Sequence, residues 1–232
     1  MCYYPGGKKK YGKAISVKIN EHAIRWNEFF PDVTLKGYCE PFCGMCGVYQ
    51  YIPSLLGDSL CYLAGDLDPS IIKMWDASKE GWVAPTSCSK ELFYALKKSN
   101  EITPDKAFLG RAMAFKSTYF TTYCATNRIE SQAKSVDQIG KSLKDVTFKV
   151  GDYTQYSNLE GYILYLDPPY RNTTCKYYAS NGKLFSKFDS NAFDDWISLI
   201  SKRNLVFSTE YSDLPYTKIW SKDREILYLI NV

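Results

Sequence analysis

Histidine is almost missing from this chain: His22 is the only one in 232 residues. Cys39, Cys43 and Cys46 have a spacing that could begin a zinc site, but no fourth ligand is evident, and His22 falls in a helical pattern well upstream. No metal is therefore expected. Long apolar runs are lacking too; none approaches the roughly 18 residues a membrane helix needs. Met1-Cys2-Tyr3-Tyr4-Pro5 offers no apolar stretch of the secretory kind. Internal repeats and low-complexity segments are also missing. These absences argue against a membrane, secreted or repeat protein. The eight cysteines are then expected to be reduced thiols in a cytoplasmic setting.

Aromatic residues are plentiful, with 20 Tyr and 5 Trp, and that argues against disorder. The length suits one α/β domain that can bury a core without staples. A net charge of +4 is modest but uneven. Residues 1–18 carry five lysines and no acid, and residues 87–150 carry 11 Lys/Arg against 6 Asp/Glu. Two basic segments on an acidic remainder suit a polyanion, although a solvated helix face would read the same way.

Ile15, Ile19, Ala23 and Trp26 recur at helical spacing until Pro31-Asp32. Gly37–Glu40 reads as a strand, and a helix is predicted over Val48–Leu56. Cys61–Gly65 is a second buried strand, followed by a helix starting at Pro69. Between 80 and 150 the pattern changes to two or three amphipathic helices, one carrying Ile129, Ala133, Val136, Ile139 and Leu143. Strands return at Val146–Val150, Tyr162–Leu166 and Leu205–Ser208, with a helix around Phe193–Ile200. Two late β-like runs, Tyr216–Trp220 and Glu225–Ile230, are expected to pair antiparallel. Alternation of this kind predicts an α/β fold with a largely parallel sheet.

Four acids fall at the carboxyl ends of these strands: Glu40, Asp66, Asp152 and Asp167. In a doubly wound sheet such ends line one crevice. The turn after Glu40 is glycine-rich and opens a helix, so its backbone can approach a ligand closely. Asp66, some twenty residues on, has the position of an acceptor for ribose hydroxyls, which implies an adenosine-containing ligand. Asp167-Pro168-Pro169-Tyr170 is the most unusual segment. Two prolines stiffen the turn and leave carbonyls free to accept, while the acid and the tyrosine ring flank a socket for a planar group bearing an NH2, such as an unstacked nucleobase.

Taken in order, Pro5-Gly6-Gly7-Lys8, Glu40-Pro41-Phe42-Cys43-Gly44, Asp66-Leu67-Asp68 and Asp167-Pro168-Pro169-Tyr170 make the chain resemble the DNA adenine-N6 methyltransferases. It is most similar to the Dam-type enzymes (D12 class, alpha group), over nearly its whole length. The resemblance implies a Rossmann-like S-adenosylmethionine-dependent methyltransferase fold. Residues 1–80 and 146–232 would form the catalytic domain, and 81–145 a small helical target-recognition insertion. Tyr4 (where the family usually has Trp), Gly7 and Lys8 would sit against the methyl donor, S-adenosylmethionine. Glu40, Pro41, Phe42, Cys43 and Gly44 match the cofactor loop. Asp66 and Leu67 match the ribose side, and Asp152 and Tyr153 the adenine side. Asp167, which also borders the cofactor, and the Pro168 carbonyl would accept from the target N6 amino group. Pro169 completes the turn, and Tyr170 would stack on the flipped base. The implied partner is double-stranded DNA, without membrane association, in DNA methylation such as that of a restriction–modification pair. Within 87–150, Arg111, Lys116, Tyr119, Phe120 and Arg128 are the expected DNA contacts.

Two departures stand out. The family loop Phe-x-Gly-x-Gly reads Phe42-Cys43-Gly44-Met45-Cys46-Gly47, with cysteine in the second glycine position. Members that read GATC carry Tyr-Asn-Gly-Leu-Cys-Arg, where this chain has Phe120-Thr121-Thr122-Tyr123-Cys124-Ala125, so GATC specificity is not supported. Other readings stay open: methylation of RNA or of cytosine N4, or a nucleic-acid-binding protein that has lost catalysis. A dinucleotide oxidoreductase would use the same glycine loop and Asp66 but leaves the Asp-Pro-Pro-Tyr turn unexplained.

Overall fold

The computed structural model describes residues 7–171 and 188–231, without the Lys116 side chain. Seven strands form one sheet: β1 (Gly37–Glu40), β2 (Cys61–Asp66), β3 (Val146–Val150), β4 (Tyr162–Leu166), β5 (Leu205–Glu210), β6 (Thr217–Lys222) and β7 (Glu225–Leu229). Their spatial order is β3-β2-β1-β4-β5-β7-β6. The first five are parallel, while β7 runs antiparallel to both β5 and β6. The central strands β1, β4 and β5 are buried almost throughout, as expected of parallel strands covered on both faces. This is the largely parallel α/β sheet that the alternation of strands and helices predicts, and the Rossmann-like methyltransferase fold that the resemblance implies.

Helices α1 (Gly12–Ala23), α2 (Trp26–Phe29), α3 (Ile52–Leu56), α4 (Pro69–Lys79), α5 (Lys90–Lys98), α6 (Pro104–Ala112), α7 (Ile129–Ser142) and α8 (Ser190–Ile200) complete the described elements. The larger core takes Ile15 and Ile19 of α1, Ile71 and Trp75 of α4, and Phe93, Phe108, Ile129 and Val136 of α5–α7 on one face of the sheet. A smaller core packs Phe193, Trp196, Ile197 and Ile200 of α8 against Leu164, Leu166 and Val206 on the other. The helices within 81–145 therefore share a core with α4 rather than building one of their own.

Local chemistry explains the boundaries. Asp68 caps α4 by accepting from the Ser70 N–H at 2.9 Å, with Pro69 in the first turn. Asp189 caps α8 in the same way. The helix predicted over Val48–Leu56 is instead a 3-10 turn, Tyr49–Tyr51, running into α3. Pro53 lacks an N–H and is tolerated only in a first turn, so the α-helical part starts at Ile52. The pattern from Ile15 to Trp26 breaks after Ala23 into α1 and α2.

Candidate active site

Sheet order reverses around β1, which lies between β2 and β4. A crevice outside the carboxyl ends of the strands forms at such a point. Glu40 closes β1, Asp66 closes β2, Asp152 follows β3 by two residues, and Asp167 directly follows β4. Two further acids reach this edge. Glu210 ends β5, and Glu225 begins β7, whose reversed direction brings its first residue to the same rim, next to the Glu210–Ile226 pair.

At the end of β1, the following loop is tied down by its backbone. Cys43 N–H donates to the Gly65 carbonyl at 2.8 Å, and Trp75 Nε1 donates to the Gly44 carbonyl at 2.8 Å. Gly44 and Cys46 both have positive φ, 45° and 50°. Cys46 thus adopts a left-handed conformation that favours glycine, the residue the family pattern has at this position, with its side chain buried in the core. The half-buried Asp66 carboxylate accepts from Gly44 N–H at 3.0 Å and Asp68 N–H at 2.8 Å. Burial pushes its pKa up to about 6, against the pull of those two N–H donors. Leu67 beside it is 48% exposed. Asp152 is exposed and accepts from Thr154 N–H. Tyr153 lies 5.6 Å from Phe42 in an aromatic cluster with Phe188 and Phe193. Pro41 and Cys43 are buried.

The residues present fit S-adenosylmethionine: a tight loop whose backbone bends through two positive-φ residues, an acid at the next strand end, and a flat aromatic wall with an exposed acid beyond it. Gly7 caps the 3-10 turn Lys8–Lys10. That turn docks on the cofactor loop at Gly47, where a Cβ would lie 3.0 Å from the Lys8 carbonyl carbon and the Lys9 nitrogen. A Cβ on Gly12 would meet the Gly47 carbonyl oxygen at 2.0 Å, so no side chain fits there. This close approach carries Lys8 into the site. Tyr4, Pro5 and Gly6 lie outside the described residues.

At the end of β4, Lys8 Nζ is 2.7 Å from Asp167 Oδ1 and 3.5 Å from Glu225 Oε1. It also lies over the Tyr170 ring, 4.7 Å from its centroid. Burial works against the Lys8 charge, but Asp167 and Glu225 outweigh it, so its pKa is raised. Thr209 Oγ1 donates to Asp167 Oδ1 at 3.1 Å. The Tyr170 hydroxyl donates to Glu225, and the Tyr170 ring meets Tyr211 edge-on at 4.3 Å. Glu40, 2% exposed, accepts from the Tyr38 hydroxyl at 2.7 Å. Burial holds its carboxyl well above the ordinary range. Pro168 is buried and Pro169 half-buried, while Arg171 N–H donates to Glu210 at 3.0 Å and fixes the end of the turn.

The structure corrects two of the expected DNA contacts, Arg111 and Phe120, which it buries. Arg111 is 4% exposed and pairs with Asp68 at 2.5 Å, donates to Ser70 Oγ and the Ala107 carbonyl, and lies 4.5 Å from the centre of the Tyr119 ring. A guanidinium buried against a helix cap is not presented to phosphate. Phe120 is 6% exposed and packs on Phe93 at 4.9 Å, and Tyr119 is half-buried between Arg111 and Phe120. Their hydrophobicity belongs to the core. Arg128, ahead of α7, is exposed. The Lys116 side chain lies outside the described parts. Phe115, 54% exposed in the same turn, is an aromatic that the sequence did not single out.

The model of the D12 class N6 adenine-specific DNA methyltransferases matches residues 111–231, more than half of the chain. The chain belongs to that family. The matched span holds the Asp167–Tyr170 turn and Glu225, while Lys8, the cofactor loop and Asp66 of this D12-class chain lie ahead of it. No curated protein matches the sequence. Two structures of the rRNA methyltransferase AviRa from Streptomyces viridochromogenes overlap it at 11% and 12% identity, both with a TM-score of 0.43. Each overlap covers 93% of this chain and 83% of the other. Among the described residues, no helix is long and apolar enough to cross a membrane, and no cluster of three or more His, Cys, Asp or Glu side chains could hold a metal ion. The described cysteines are free thiols.

Proposed function

We propose that this chain is a site-specific DNA adenine-N6 methyltransferase that acts on a flipped adenine in double-stranded DNA, with 81–145 as its recognition insertion. One observation carries the reading: a primary amine, that of Lys8, already rests against Asp167 and over the Tyr170 ring. The socket therefore accepts an N–H-bearing group beside an aromatic face, which is what an extruded adenine presents.

An exocyclic amine is a weak nucleophile because its lone pair is delocalised into the ring. Asp167 and the Pro168 carbonyl accept its two hydrogens, pull the nitrogen toward a tetrahedral shape and stabilise the positive charge that develops on it. Thr209 holds the Asp167 carboxylate in place. Tyr170 supplies the stacking face, and the stiff Pro168-Pro169 turn fixes the distance between acid and ring. S-adenosylmethionine, when bound along Glu40–Gly44, Asp66 and Asp152–Tyr153, supplies the activated methyl group. The protein's own part is acceptance, orientation and exclusion of water.

The test is to incubate the protein with S-adenosylmethionine and random-sequence duplex DNA and to map N6-methyladenine in the product. Methyl groups on adenine within a recurring sequence are expected. Methyl groups on cytosine, transfer to RNA alone, or cofactor binding with no transfer would each overturn the reading.

A further inference from the structure

Glu225 is a carboxylate that the motif pattern does not name, yet it is 4% exposed and touches two of the residues that make the amine socket. It accepts from the Tyr170 hydroxyl, and its Oε1 lies 3.5 Å from Lys8 Nζ. Burial raises its pKa, while Lys8 pulls the other way. A buried acid of this kind costs stability unless it is paired and hydrogen-bonded. The turn ahead of it is pinned from outside: Asp223, at a positive φ of 54°, accepts from Lys10 at 2.7 Å and Tyr11 at 2.5 Å. Trp220 of β6 meets the Tyr11 ring at 5.8 Å. The β6–β7 hairpin and the Lys8–Lys10 turn are thus fastened together, with Glu225 and Lys8 facing each other inside the clasp.

We propose that Glu225 is a positioning residue of the methyl-transfer site, fixing the Tyr170 ring through its hydroxyl and serving as the second seat for the Lys8 ammonium when a target amine takes the place at Asp167. The proposal rests on the reading of the socket as an amine site. Lys8 stands between the two carboxylates, nearer to Asp167 than to Glu225. A base that enters against the Tyr170 face must displace the ammonium from both the ring and Asp167. Without a second acid within reach, that displacement would draw a buried positive charge away from its carboxylate, which is costly. With Glu225 at hand, the ammonium closes from 3.5 Å to a charge-assisted bond of about 2.8 Å and stays paired. Tyr170 keeps its orientation meanwhile, because its hydroxyl bond to Glu225 does not involve the ring face.

Wild type, Glu225→Gln, Glu225→Ala, Tyr170→Phe and the Tyr170→Phe/Glu225→Ala double variant separate these roles. Single-turnover methyl transfer to random-sequence duplex DNA should slow about tenfold in Glu225→Ala, the scale of one charge-assisted bond. Affinity for S-adenosylmethionine, read by calorimetry without DNA, should stay within about twofold. Glu225→Gln should recover part of the rate, since an amide oxygen still accepts from Tyr170, and the double variant should be no slower than Glu225→Ala. The Lys8 amine titration, followed by NMR, should move down in Glu225→Gln and stay in Tyr170→Phe.

Wild-type transfer in Glu225→Ala, effects that multiply in the double variant, or a Lys8 titration unmoved by Glu225→Gln would overturn the proposal. Should Glu225→Ala not fold, the nearly isosteric Glu225→Gln and the Lys8 titration decide alone. The product of the wild type tests the adenine reading separately. If the methyl group appears on another base, that reading falls and the variants are compared on that product. If no transfer occurs at all, the reading and the transfer role of Glu225 fall together, and the Lys8 titration decides only whether Glu225 holds the ammonium.

Discussion

Asp167 and Asp66 sit at strand ends for different reasons, and their variants should part company. Asp167→Ala should abolish methyl transfer while S-adenosylmethionine still binds, because its partners are Lys8, Thr209 and, on the proposed reading, the target amine. Near-wild-type transfer by that variant, measured as methyl incorporation, would remove the acid from the mechanism. Asp66 is the proposed hydroxyl acceptor on the cofactor, and its pKa lies at about 6 in place of the usual 3.8. A raised carboxyl favours the protonated folded chain, so its contribution to stability is fully present below 3.8 and lost as pH rises through about 6. Cofactor binding has the opposite sign, since only the ionised acid accepts from two hydroxyls. S-adenosylmethionine affinity should therefore fall as pH drops through about 6, and Asp66→Asn should bind weakly with that dependence gone. An unchanged titration in Asp66→Asn would place the acid outside the cofactor site. At this scale the sequence exposed what one strand delivers at its own end. Glu225 escaped because only an antiparallel neighbour carries a strand's first residue to that rim.

Among the elements, α4 and α6 are joined by charge as well as by apolar contact. Arg111 of α6 pairs with Asp68, the cap of α4, two residues beyond Asp66. Removing one member of a buried pair strands the other, typically at a cost of about 3–5 kcal/mol. Arg111→Ala should lose stability on that scale in denaturant unfolding. Its weakened nucleic-acid binding, if measured, should track loss of fold rather than loss of a phosphate contact. A stable Arg111→Ala variant with selectively lower DNA affinity would restore the surface role that burial denies it. Lysine- and arginine-rich composition marked 87–150 as basic but could not separate a buried guanidinium from an exposed one. What distinguishes Arg111 is its place one helix turn from Ala107 and within reach of Asp68, 43 positions away in sequence, and no local pattern contains that pairing. Element boundaries were more legible, because Pro69 and Asp68 act locally. Cys46 shows the reverse case: a broken glycine pattern with the glycine backbone conformation kept. Left-handed geometry costs a non-glycine residue about 1–2 kcal/mol, and here the tied loop around it holds the residue there.

For the whole molecule, the remaining question is which face meets the DNA backbone. Among the many exposed cations, two groups bear on this question: Arg128 with Lys97 and Lys98 on the 81–145 side, and Lys9, Lys10, Lys218, Lys222 and Arg224 around the clasp that holds Lys8 and Glu225. Lys97 leans on the Phe115–Tyr123 turn by donating to the Thr121 carbonyl at 3.1 Å. The socket lies at the strand edge beside the clasp, so on the proposed reading a duplex delivering a base to Tyr170 would meet the Lys222–Arg224 turn, the Phe115–Tyr123 turn, or both. Phosphate neutralisation makes the logarithm of affinity fall with the logarithm of salt by about 0.9 per contact. Arg224→Ala and Arg128→Ala should each weaken binding across all sequences and shallow that slope by roughly one contact, and the pair together by roughly two. The decisive measurement is the slope itself, from DNA titrations between low and moderate salt. If only Arg128→Ala moves it, the duplex lies on the insertion alone. If only Arg224→Ala moves it, the clasp is the docking edge. Should neither change it, both groups of cations are merely solvated, and the positive charge that contacts phosphate must be sought elsewhere on the chain.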